Sequence, residues 1–418
     1  MAQKPELERF LNEASRYLKL DFGLERPKSN IYSYSEHEWR DLEKQGISGI
    51  SFYDPKKEKV CLSQKASVTD MIHEYFGHAL YSEQSLLGKK FRQTIQKDTK
   101  ITKETQEFFD KLKPLQEGFS IWMEEKILKR LGLTDLWKDR YEIITKSPCY
   151  NLYKSFLKEE SEKGTITLLY KLGFPKSKDQ EIIKKVAKEN LKDFNNIEYL
   201  IQYGSLERDI DLLAVYPDDI LQKKGLIYDG CIDINVLNKT LFLQKLKLYD
   251  IEILEPILTG NLLTGDEKGF EKIISEIKRG KPSKEAVDHA NKRSLETFNS
   301  AMFFYHQSRF KYNNSLLNSN CPEAAKTILG KEQSNSCTED LLYVLNNLSF
   351  SMSYNLSADY YNNKKTFTTF KELTKNTLLK NIMQYLKNVE NGRENLREDK
   401  TLELLTSTKS FLLERFHP

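Results

Sequence analysis

Apolar residues recur along this chain with two different spacings, and the change from one to the other marks where the architecture should change. Residues 5–20 carry apolar positions three and four apart, the period of an amphipathic helix. Between Gly46 and Ser63 two short β-prone runs, Ile47–Tyr53 and Lys59–Leu62, flank the polar turn Asp54-Pro55-Lys56-Lys57, which reads as a hairpin or sheet edge. Ser67 or Thr69 then stands where a cap is needed for the helix that follows. A further helix is predicted from about Glu104 to Arg130, with a break near Pro114 and Gly132 as its C-cap. Another covers Tyr150–Ser161 and ends near Gly164, and the polar stretch Pro175–Gln180 reads as a linker.

Past the linker the pattern alternates. A helix over 180–194 precedes apolar runs at 198–203, 209–216 and 231–237; a helix at 239–247, a short strand at 251–254 and a helix at 267–279 follow. Strand signals stop at Gly280-Lys-Pro-Ser. Helical periodicity then returns at 284–307, 338–356, 365–388 and 399–415, with Phe303, Phe304, Leu341, Leu342, Leu345 and Leu348 at apolar positions expected in a core. The Asn- and Ser-rich residues 311–336 read as a loop or insert. The fold class is therefore α+β and multidomain: a helix-rich domain over 1–175, a small mixed-sheet domain over 180–280 and an α-helical bundle over 284–418. A chain of 418 residues also exceeds what one hydrophobic core usually serves.

A formal net charge of +4, from 65 basic and 61 acidic residues, is too mild to mark a nucleic-acid partner. Five cysteines (61, 149, 231, 321 and 337) are odd in number, scattered and without a Cys-x-x-Cys pair, which favours reduced thiols in a cytoplasmic protein. The start Met-Ala-Gln-Lys-Pro-Glu has no apolar core of a signal peptide, and no segment is apolar enough for a bilayer, so a soluble intracellular chain with no membrane partner is expected.

Two constellations carry chemistry. The first is His73-Glu74-Tyr75-Phe76-Gly77-His78. Zinc hydrolases need two imidazoles on one metal, a carboxylate to take a proton from the attacking water, and a third ligand from elsewhere. Histidines four apart share a helix face; here the spacing is five, and five steps of a regular helix leave the second imidazole about 140° from the first. One extra residue absorbed as a π-bulge restores convergence, and Gly77 is the residue best able to take the distortion. Downstream, Gln116-Glu117-Gly118-Phe119-Ser120-Ile121-Trp122-Met123-Glu124 offers Glu117 as third ligand and, two turns on, Glu124 to orient a ligating histidine. Gly118 would let that helix approach another closely, and Glu74 would be the general base.

This pattern resembles the zincin metallopeptidases that use Glu as third ligand. The His-Glu-x-x-Gly-His form is similar to the motif of the dipeptidyl peptidase III family. His78-Ala79-Leu80-Tyr81 is similar to the continuation in the thermostable carboxypeptidase family, whose motif is one residue shorter. The resemblance covers roughly residues 45–165 and implies Zn2+ as cofactor, a peptide or protein substrate, and a tyrosine by the oxyanion, for which Tyr150 or Tyr153 would serve. Exopeptidase specificity is not carried over, because the Arg within a Glu-rich run of the dipeptidyl peptidase family is missing.

The second constellation is Tyr203-Gly204-Ser205-Leu206-Glu207-Arg208-Asp209-Ile210-Asp211. Asp209 and Asp211, two apart on a strand, share a face and can hold Mg2+. Asp233, an acid within the apolar run Cys231-Ile-Asp-Ile-Asn-Val-Leu237, supplies a third carboxylate. Gly204 and Ser205 would meet the terminal phosphates of an NTP, ATP by preference, with Arg208 as a further phosphate ligand. Together with Glu255-Pro256-Ile257-Leu258-Thr259-Gly260-Asn261-Leu262-Leu263-Thr264-Gly265, this resembles the DNA polymerase β-like nucleotidyltransferases over roughly 180–275, with a shorter interval between Gly-Ser and Asp-x-Asp than that family has.

Met352-Ser-Tyr-Asn-Leu-Ser-Ala-Asp-Tyr360 resembles the HEPN-like bundles appended to such domains. The Arg–spacer–His arrangement of ribonuclease bundles is missing around His289, His306 and His417. The bundle therefore reads as a substrate platform or homodimer surface. The expectation is a bifunctional enzyme: a zinc metallopeptidase and a magnesium-dependent nucleotidyltransferase acting on a nucleoside triphosphate and an acceptor hydroxyl on a protein, an RNA end or a small molecule. Two alternatives remain: a regulatory sensor with degenerate sites, and a peptidase with an ATP-sensing transferase-like domain.

Overall fold

The computed structural model describes residues 4–416 apart from 48, 98–102, 205, 207–208, 221–224, 229–230, 318–322, 364–372, 374 and 391–392. The chain divides into two compact units. One contains residues 1–195, 205–212 and 226–234; the other contains 196–204, 213–225 and 235–418.

The first unit opens with α1 (Lys4–Phe22), β1 (Asn30–Tyr34), α2 (Glu36–Lys44), β2 (Ser51–Asp54) and β3 (Lys59–Ser63). The hairpin expected around Pro55 is the antiparallel pair β2–β3, with Ser51 opposite Leu62 and Asp54 opposite Lys59. A strand not legible in the sequence, β1, adds to β3 in parallel and makes a three-stranded sheet of order β1-β3-β2. Of the two candidate caps, Ser67 is used. Its hydroxyl accepts from Asp70 N and the Asp70 carboxylate accepts from Ser67 N, a capping box that starts α3 (Val68–Ile72).

The chain then widens into a π-helical segment, His73–Ala79, and returns to α4 (Leu80–Gln84). Next come α5 (Leu86–Lys97), α6 (Lys103–Arg130), α7 (Thr134–Ile144), α8 (Cys149–Lys163), α9 (Thr165–Lys171) and α10 (Gln180–Asn190). Of these, α5, α7 and α9 had no expectation in the sequence, and α10 ends four residues earlier than expected. The break expected at Pro114 does not occur, because α6 passes through it. Pro114 cannot bond the Asp110 carbonyl, and both residues are exposed. Gly132 (φ +73°) and Gly164 (φ +87°) end α6 and α8 in the left-handed region, where glycine carries no Cβ penalty.

The apolar runs after residue 196 are β4 (Tyr199–Tyr203), β5 (Ile210–Tyr216), β6 (Gly225–Tyr228) and β7 (Ile232–Asn238). They are followed by α11 (Lys239–Lys247), α12 (Ile251–Thr259), β8 (Asn261–Gly265) and α13 (Glu267–Arg279). The strands form a mixed sheet of order β6-β7-β5-β4-β8, with β8 antiparallel to β4. The strand expected at 251–254 is helix instead. Asp250 caps it by accepting from Glu252 N, and Ile251, Leu254 and Ile257 recur at helical spacing on its buried face. The segment Glu255–Gly265 is thus half helix and half edge strand.

In the second unit Ile201, Leu213, Val215 and Leu237 pack with Phe242, Ile253, Leu254, Ile257 and Phe270, and with Tyr354 and Tyr361 from the helices beyond. Those helices are α14 (Lys284–Leu317), α15 (Glu323–Asn363), α16 (Thr377–Glu390) and α17 (Glu398–Phe416). Of the loop expected over 311–336, residues 311–317 and 323–336 are helical parts of α14 and α15, and 318–322 lie outside the described residues; Asn and Ser cost a helix only tenths of a kcal/mol each. The expected helix 365–388 starts at Thr377, its first residues lying mostly outside the described ones. Leu341, Leu345 and Leu348 join the bundle core with Val344, Met352, Leu379 and Ile382. Phe303 departs from expectation and stands exposed, while Phe304 is partly buried and stacks on Tyr343 at 5.0 Å.

Candidate metal centre

Five-residue spacing in a regular helix would point His73 and His78 apart. The π segment closes the turn with longer bonds, as where Leu80 N donates to Tyr75 O, and stacks residues five apart. The result brings His73 Nε2 and His78 Nε2 to 3.2 Å. Glu117 reaches them from α6, with one oxygen 3.5 Å from His73 Nε2 and the other 3.7 Å from His78 Nε2. Among the described residues, these three form the group of potential ligands whose donor atoms all lie within 4.8 Å of one another.

Gly77 contributes through space rather than through backbone freedom: a Cβ there would lie 2.5 Å from the Ser120 Cβ of α6. Its missing side chain lets the π segment and α6 approach closely enough for Glu117 to face both imidazoles. Gly118 has a similar role toward α8, since a Cβ there would lie 2.9 Å from the Phe156 ring.

Behind His73, Glu124 is wholly buried and its Oε2 lies 3.1 Å from His73 Nδ1. A carboxylate in that place fixes the ring and leaves Nε2 directed at the centre. Glu74 is buried beside His73, and Ser51, the first residue of β2, donates its hydroxyl to Glu74 Oε1 at 3.0 Å.

The charges are tightly interlocked. Burial opposes a charge on His73, but the hydrogen bonds to Glu117 and Glu124 and the charges of Glu124 and Glu74 prevail and push its pKa up to about 10. Burial and the neighbouring His73 push His78 down. For Glu117, burial is overcome by the hydrogen bond from His73 and the nearby imidazoles, which take it down to about 2. Without a metal, the pair therefore carries its proton on His73, between two carboxylates.

Two imidazole nitrogens and a carboxylate, with one ring locked from behind, form an N/O donor set suited to zinc, and the residues fit that ion. The two tyrosines expected near the oxyanion make their contacts elsewhere. The Tyr150 hydroxyl lies 3.1 Å from that of Tyr141, and Tyr153 is buried against Trp137 in the aromatic core of α7 and α8. Sequence reasoning missed Ser51 and Arg140, whose Nε donates to Glu124 Oε1 at 3.1 Å. Neither belongs to a local motif, since both reach the site through tertiary packing.

The second constellation is arranged differently. Gly204 ends β4 exposed, at φ +67°. Ser205 and Arg208 lie outside the described residues. Asp209 is buried just before β5, Asp211 lies on β5, and Asp233 lies on the neighbouring strand β7, near the bond from Ile210 N to Cys231 O. Among the described residues, Asp209, Asp211 and Asp233 do not form a group with mutually close ligand atoms.

No family model matches the chain, and no curated protein matches it. Among solved structures, the chain is similar to a nucleotidyltransferase-like protein from Exiguobacterium sibiricum 255-15, at 8% identity and a TM-score of 0.23, over 53% of this chain and 69% of that one.

Proposed function

We propose that this chain is a zinc-dependent hydrolase of the zincin type, acting on a peptide or protein amide bond. The observation that supports it is the convergence of His73, His78 and Glu117 through a π-helical turn, backed by Glu124. His73, His78 and Glu117 would hold the metal. Bound there, zinc would supply the Lewis acidity that polarises a scissile carbonyl. Glu74 takes the proton from the attacking water as the new C–O bond forms, and returns it to the amine nitrogen as the C–N bond breaks. Ser51 holds one Glu74 oxygen in place, leaving the other for that proton.

Elemental mass spectrometry of the purified chain tests the reading. About one zinc per wild-type chain, lost in His78→Ala, is the expected result, and Glu74→Gln should retain the metal while losing peptide hydrolysis. Correctly folded wild type without zinc would defeat it.

Nucleotidyl transfer is a second reading, favoured by the placement of Asp211 and Asp233 on adjacent strands. Because the three carboxylates do not converge on one point among the described residues, no magnesium-dependent step is derived from them. Turnover of a labelled nucleoside triphosphate, abolished by Asp209→Ala together with Asp211→Ala, is what this reading predicts. Nucleotide binding without turnover would instead leave a sensor.

A further inference from the structure

Glu124 has no access to solvent, so its charge must be met within the protein. Its two oxygens are divided between two partners: Oε2 faces His73 Nδ1 at 3.1 Å, and Oε1 accepts from Arg140 Nε at 3.1 Å. Arg140 comes from α7, which supplies no ligand. On its far side the guanidinium forms an ion pair with Asp70, Nη1 lying 3.7 Å from Oδ1. Asp70 is itself nearly buried and held by the backbone and hydroxyl of Ser67, at 2.8 and 2.6 Å. A continuous line therefore runs Ser67–Asp70–Arg140–Glu124–His73, joining α3, α7 and α6 behind the metal-facing ring.

We propose that Arg140 is a positioning residue for the metal centre, acting through Glu124 on the orientation of His73. The inference rests on the reading that His73, His78 and Glu117 hold a metal. A guanidinium is planar and its donors lie at fixed angles, so the Nε–H bond to Oε1, with the Asp70 charge holding the far side by an ion pair, sets the direction of the carboxylate. With Oε1 committed to Arg140, Glu124 presents one oxygen to His73 from one direction, and the imidazole turns Nε2 toward His78 and Glu117. With that oxygen released, Glu124 has no fixed direction, and the ring it steers loses its own. A lysine could neutralise the carboxylate but not reproduce the two-ended grip.

The test uses the full chain, stripped of metal and titrated with zinc against a competing chromogenic chelator. Cobalt(II)-loaded samples of the same proteins are compared by visible absorption. Arg140→Gln should weaken zinc binding about 10- to 100-fold and shift the cobalt bands, which report ligand geometry. Arg140→Lys should recover only part of the affinity. Arg92→Gln, which removes a pairing with Glu58 away from the centre, should change neither reading. Affinity and cobalt spectrum equal to wild type in Arg140→Gln would overturn the role. If that variant does not fold, the same equality in a folded Arg140→Lys would overturn the two-ended grip. A folded wild type that takes up neither zinc nor cobalt would remove the metal centre itself and this role with it, whereas unchanged variants of a metal-binding wild type remove only the role.

Discussion

Gly77 sits where a methyl group has no room, 2.5 Å from the Ser120 Cβ. Gly77→Ala should destabilise the fold by about 1–3 kcal/mol through overpacking, and Ser120→Gly in the same chain should recover part of that loss; thermal unfolding of the single and double variants reads both. The proton held by His73 makes a second prediction. Its pKa rises from the ordinary 6.5 to about 10. The metal-free chain therefore draws stability from it that is fully present below pH 6.5 and fades as the pH climbs through about 10. Glu117, lowered from 4.5 to about 2, contributes in the other sense: its share is present above pH 4.5 and is lost as the pH falls through about 2. Zinc would have to displace the His73 proton, so its affinity should rise with pH up to about 10. Zinc uptake at pH 7 should release a proton, seen by calorimetry in buffers of different ionisation enthalpy; binding without proton release at that pH would contradict the arrangement.

At the scale of elements, the extra residue of the π segment is locked in from both ends. Deleting Gly77 would restore the ordinary four-residue histidine spacing, yet it would turn everything after it by about 100°. Ala79, Leu80 and Tyr81, all buried, would then leave the core. The expected outcome is loss of cooperative unfolding by circular dichroism, despite the conventional motif. The bulge was legible because ligand chemistry demanded convergence that a regular helix could not give. The helix α12 was not legible: Ile251-Glu252-Ile253-Leu254 suits either period, and what decides is a tertiary network. There Asp250 meets Lys245 at 3.1 Å, while Arg293 and Tyr354 meet Glu252 at 2.8 and 3.0 Å. Asp250→Ala removes both the cap and a buried charge partner, and should cost about 3–5 kcal/mol by urea unfolding. The strand β1 was hidden for a related reason. Asn30-Ile-Tyr-Ser-Tyr34 has one aliphatic residue and becomes a strand through its pairing with β3.

For the whole molecule, the two constellations make separable predictions. Asp209→Ala with Asp211→Ala should leave zinc content and peptide hydrolysis unchanged, and Glu74→Gln should leave nucleotide turnover unchanged; one preparation of each, assayed for both reactions, checks the pair. Among the described residues, no helix is long and apolar enough to cross a membrane. The sequence showed the donor residues themselves, because side-chain chemistry is local. It did not show what stands behind them, since Ser51 and Arg140 arrive from separate elements, β2 and α7, through tertiary packing.

The placement of Glu117 and Glu124 seven residues apart on α6 has a mechanical consequence. Both carboxylates that face His73 ride on one rod. Any slide or roll of α6 moves both together, and the centre tightens or loosens as a whole.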